Sequence, residues 1–103
     1  MYYILKGRKI KAVSSTAWET WFGNVENRRV GSTYFPGGRV STVFVGLEPI
    51  YFETMVFGGL LDDYQWRYWD YKQAKAGHYR IVKQVQFLVR LHNRKRRNKR
   101  MDL

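Results

Sequence analysis

Residues 40–59 read VSTVFVGLEPIYFETMVFGG and open the longest stretch of the chain without Lys or Arg, which runs on to Trp66. Val, Thr, Phe, Ile and Tyr dominate it, and these residues suit a pleated, half-buried surface. Pro49 bends the chain after Glu48 because its ring fixes φ and removes a donor. The stretch therefore predicts two strands, 39–47 and 50–57, with Gly58-Gly59 releasing the second. Side chains alternate along a strand. Val40, Thr42 and Phe44 then oppose Ser41, Val43, Val45 and Leu47. Ile50, Phe52, Thr54 and Val56 oppose Tyr51, Glu53, Met55 and Phe57. Neither strand presents a solvent face. Helices of the chain can cover one side, and the other calls for a second copy, a ligand or a curled sheet. Isologous pairing is the commonest way to cover such a face, so a homo-oligomer is expected, a dimer first.

Glu53 is the anomaly in this apolar pair. A buried charge needs a partner, and Arg29, Arg39 and Arg67 are the candidates across a sheet. The alternatives are a carboxylate that accepts from a base edge or ribose hydroxyl, and an acid–base catalyst.

The flanks read as follows. Residues 2–5 and 9–13 form a short hairpin around Lys6-Gly7-Arg8. Ser14, Ser15 and Thr16 offer helix caps, and Thr16 with Glu19 has capping-box spacing. Trp18, Trp21, Phe22 and Val25 share one helical face. Residues 28–34 form a strand that turns through Phe35-Pro36-Gly37-Gly38. Residues 64–69 predict a short last strand. Asp70 caps a final helix over 71–92. Ala74, Gly77, His78, Ile81, Val85, Leu88 and His92 make its apolar face, and Lys72, Lys75, Tyr79, Lys83, Gln86 and Arg90 the opposite one. The run Arg94–Arg100 either extends this helix or is disordered without a partner. The sum is an α+β domain over 1–92, an antiparallel sheet of four to five strands with two helices, and a basic tail over 93–103.

Composition narrows the function. The 103 residues carry a net charge of +11 and 17% aromatics. So small a domain has a limited core, which leaves rings for a surface or an interface. Residues 93–103 hold six Lys/Arg and one acid. This balance favours polyanions: nucleic acid, nucleotide phosphates or anionic lipid. There is no Cys, so no disulfide or thiol chemistry. The first residues turn basic at once, unlike a secretory leader, and no apolar run approaches a membrane span. A cytosolic location is expected, with no membrane partner. Phosphate-binding glycine motifs and nucleophile motifs are missing, and His78 and His92 alone make no metal-ligand cluster. The expectation is a binding protein without enzymatic activity, cofactor or metal.

Two segments carry chemistry of their own. In DDYQWRYWDY (62–71), rings alternate with Arg67 as in surfaces that stack exposed bases. The same pattern also suits a strand packed on the core through Trp66 and Tyr68. Trp69 is the ring expected outside. His78 reads as a satisfied core histidine, with Glu53 a possible partner, or as a ligand contact.

TAWETWF (16–22), RVSTVFVGLEP (39–49), FETMVFGG (52–59) and AKAGHYRIV (74–82) resemble, in order, a family of small bacteriophage and prophage proteins. The family's relatives have a longer Gly/Pro insert where Glu48-Pro49-Ile50 stands here, and tend to be acidic. The resemblance implies a phage accessory protein acting in the host cytoplasm, in host takeover or against host defence.

Together these readings predict sequestration of an anionic nucleotide-type ligand, such as a host immune signal, in a pocket at an oligomer interface. Arg28, Arg29, Arg39 and Arg67 would hold phosphate. Trp69 would stack a base, Thr42, Glu53 and Thr54 would read polar edges, and His78 would line the site. The alternative is nucleic-acid binding by Lys72, Lys75, Lys83 and Arg90 with the tail residues Arg94, Lys95, Arg96, Arg97, Lys99 and Arg100. A third reading is a protein-directed inhibitor of a host defence enzyme.

Overall fold

The computed structural model describes residues 1–46 and 49–101, the last four by backbone alone. Strands β1 (Tyr2–Lys6) and β2 (Lys9–Val13) form a hairpin with its own two-stranded sheet. Helices α1 (Ser15–Phe22) and α2 (Val25–Arg28) follow. Strands β3 (Arg29–Phe35), β4 (Gly38–Phe44), β5 (Phe52–Phe57) and β6 (Gln65–Tyr68) then pair antiparallel in chain order. Helix α3 (Tyr71–Met101) closes an α+β fold.

Local signals explain most boundaries. Asp70 caps α3 as expected, its Oδ1 accepting from Gln73 N at 2.7 Å. The capping box at Thr16 does not form. Ser14, two residues earlier, is the cap and accepts from Ala17 N at 3.2 Å, which draws Thr16 into the first turn. The expected single helical face also breaks, because Gly23 and Asn24 end α1 and Asn24 starts α2, a third helix of four residues. Trp18 and Phe22 still stack at 4.6 Å, and Trp21 meets Phe44 edge-on at 5.5 Å. Strand β4 ends at Phe44. Leu47 and Glu48, where the expected strand 39–47 ends, lie outside the described residues. The final helix passes the expected stop at His92 and takes in the basic run. At ~1.5 Å per residue its 31 residues span about 46 Å, most of the molecule's 64 Å length.

The alternation read in β4 and β5 sets the core. Registers Phe44↔Phe52↔Tyr68, Thr42↔Thr54↔Trp66 and Val40↔Val56 stack three rows across the face that meets α3. Leu5, Val30, Phe44, Phe52, Tyr68 and Ala74 form one apolar cluster, with the β1–β2 hairpin packed on it through Tyr3 and Ile10. Val40, Val56, Ile81, Val82 and Val85 form a second. Phe44 and Phe52 are fully buried, each stabilising the fold by ~1.5–3 kcal/mol. On the other face of the sheet, Val43, Glu53 and Met55 are half-buried and Phe57 is exposed. No helix among the described residues covers enough apolar length to cross a membrane.

Two glycines let α3 approach the sheet. A Cβ on Gly77 would overlap the Tyr68 ring, and one on Gly31 would come within 3.0 Å of the His78 imidazole. Helix propensity alone would make Gly77→Ala stabilising by ~1 kcal/mol. We expect the opposite sign, a loss of about 1–3 kcal/mol from overpacking, read from the urea midpoint of unfolding.

Candidate nucleic-acid interface

The net charge has one address. Residues 71–101 hold eleven Lys and Arg and no acid, while the rest of the sequence balances eight bases against eight acids. The whole excess of +11 therefore belongs to α3. Lys72, Lys75, Lys83 and Arg90 lie on the exposed side, opposite the buried Ala74, His78, Ile81 and Val85. Beyond Leu91 the residues are exposed at least to Arg97. Arg94, Lys95, Arg96 and Arg97, each turned ~100° from the last, put bases around the whole helix. The side chains of Lys99 and Arg100 lie outside the described residues.

Intrahelical physics does not account for this pattern. Cations favour a helix C-terminus and are disfavoured at the N-terminus, yet Lys72 and Lys75 stand in the first turns, which hold no acid of their own beyond the capping Asp70. Like charges three or four residues apart also cost ~0.2–0.5 kcal/mol a pair.

Nine residues were expected to line a ligand pocket, and the structure places them in separate settings. Thr42, Thr54 and His78 lie between sheet and helix, His78 only 3% exposed. His78 Nδ1 meets Thr42 Oγ1 at 2.7 Å, Nε2 meets Thr33 Oγ1 at 2.9 Å, and Thr42 meets Thr54. This buried chain is a satisfied core layer between the two apolar clusters. Glu53 is not its partner. It lies on the opposite sheet face and accepts from Arg67 Nε at 3.0 Å, the cross-sheet pairing that the register Glu53↔Arg67 dictates. Arg29 pairs with Glu26 at 2.9 Å. Arg28 covers the Phe22 ring at 4.2 Å, and Arg39 leans on Phe57 and Tyr34. Among the described residues no cleft gathers the four arginines with Thr42, Thr54 and His78. An apolar cleft of about 330 Å³ between Phe35, Leu60, Leu61, Leu88 and Val89 contains none of the nine.

Trp69 is exposed as expected, at 65%. Trp66, which packs on the core in one of the two readings of this segment and stacks bases in the other, is 46% exposed: β6 is the edge of the four-stranded sheet. The two indoles flank a groove with Arg67, Gln73, Ala76 and Arg80. Arg80 lies 5.6 Å over the Trp66 ring, and sequence reading missed it. The spacing Gln73, Ala76, Arg80 marks one helical edge and was the available signal. Among the described residues no group of three or more His, Cys, Asp or Glu could hold a metal.

Burial holds the His78 pKa below its ordinary 6.5, and Lys75 adds repulsion. The unfolded chain then binds a proton that the folded one refuses, so stability rises with pH in that window. The contribution is complete above 6.5 and is lost as pH falls toward the folded value. Denaturation midpoints across this range should fall with acid in the wild type. His78→Gln, which cannot titrate, should lack that component.

No family model, curated protein or solved structure matches the chain.

Proposed function

We propose that the protein binds nucleic acid along α3, without catalysis. The observation that supports this reading best is the segregation of all excess charge onto one helix that bears no acid. A row of cations on a rigid rod neutralises successive phosphates and releases their counterions. The near-neutral remainder would hold the helix without competing for the ligand. Lys72, Lys75, Lys83 and Arg90 contact the backbone beside the domain, and Arg94 to Arg97 reach along it.

The open sheet face favours a second reading. Arg29, Val43, Glu53 and Arg67 align in one row there, with the exposed Phe57 nearby. Two copies closing over that face would form the interface pocket for a nucleotide-type anion. The mass and absorbance ratio of purified protein test it: a dimer carrying nucleotide supports it, a nucleotide-free monomer ends it.

For the α3 reading, affinity for a mixed-sequence oligonucleotide should fall linearly on a log–log plot against salt. Changing Arg94, Lys95, Arg96 and Arg97 together to Gln should flatten that slope by about 0.7–0.9 for each phosphate contact removed. Binding indifferent to salt, or untouched by the quadruple change, would count decisively against it.

A further inference from the structure

The groove at the first turns of α3 has a chemistry that phosphate contacts do not explain. Trp66 and Trp69 expose their rings at its sides. Exposed tryptophan is costly, and two such rings beside one groove suit a partner with flat apolar faces. Arg80 lies over Trp66 from the helix and Tyr64 stacks beside the same ring, 6.1 Å away and 9° from parallel, a layered arrangement that a further planar group can extend by stacking and cation–π attraction. Ala76 lines the groove as well, with a small side chain, and the open groove has a volume of about 490 Å³.

The groove is also held in place. Asp70 Oδ1 accepts from Gln73 N, and Gln73 Oε1 in turn accepts from Trp69 N at 3.1 Å. This reciprocal cap fixes the backbone of Trp69 against α3, so its indole is presented from a rigid element. Lys72 and Lys83 lie on the adjoining side of the helix, within reach of a backbone whose bases enter the groove.

We propose that this groove stacks unpaired bases, so that the ligand of α3 is single-stranded nucleic acid. The inference rests on the reading of α3 as a nucleic-acid-binding helix. A duplex hides the faces of its bases inside the stack and offers the indoles nothing, whereas an unpaired strand presents a π-face at every nucleotide. Phosphates then contact the basic side of α3 while one or two bases enter between Trp66 and Trp69.

Fluorescence anisotropy separates the two claims, with a mixed-sequence DNA strand, the matching RNA and the blunt duplex as probes at one salt concentration. The full-length protein should bind the single strands more tightly than the duplex. Trp66→Ala and Trp69→Ala should each weaken single-strand binding about tenfold, leave duplex binding unchanged and leave the salt slope intact. Trp69→Phe, which keeps a ring, should recover most of the loss. Equal affinity for strand and duplex, or single-strand affinity indifferent to both alanine changes, overturns the inference. If the quadruple tail variant weakens every probe while the indole variants weaken none, stacking alone is wrong. If the tail variant weakens no probe, the reading of α3 fails and the inference falls with it.

Discussion

The contact on which the rest depends is the His78 side chain set between Thr33 and Thr42 under the sheet. It is a polar layer in a core that is otherwise apolar on both sides of it. An unpaired buried imidazole or hydroxyl would cost ~1–3 kcal/mol, so the helix is stable against the sheet only in the register that pairs them. Gly31 makes the approach possible by offering no side chain where the ring lies. Apolar packing alone would tolerate α3 sliding or rotating; a hydrogen-bonded layer does not. This fixes which side of α3 faces outward.

That rotation decides the electrostatics. With Ala74, His78, Ile81 and Val85 turned in, Lys72, Lys83 and Arg90 must face water. The N-terminal turns are anchored by the Asp70 cap and by Tyr68 packed against Gly77. The C-terminal turns are exposed from His92 to Arg97 and carry charge on every side. One helix is thus half structural element and half extended cationic surface, and its anchored end places Arg80 over Trp66.

The two-faced character of β4 and β5 was legible in residues 40–57, because alternation depends only on the pleat. Its consequence for Glu53 was legible too, to within three arginines; the pairing of β6 on β5 selected Arg67. Thr42 and Thr54 share a parity with Phe44 and Phe52, while Glu53 has the other. Residues of opposite parity on adjacent strands cannot line one cleft on one face of a sheet. The expected ligand set mixed both parities, and the structure separates them accordingly.

The sequence by itself determined the α+β class, the strand alternation, the Asp70 cap and the amphipathic face of α3, since each follows from local geometry repeating every two or 3.6 residues. It also held the charge segregation, which placing the helix end at His92 split in two. Only the tertiary structure decided that the helix continues to Met101, that His78 finds Thr33 and Thr42 rather than Glu53, and that Trp66 and Arg80 meet at the open edge of β6. Those outcomes depend on which elements lie side by side, and long-range packing sets that where no local period can.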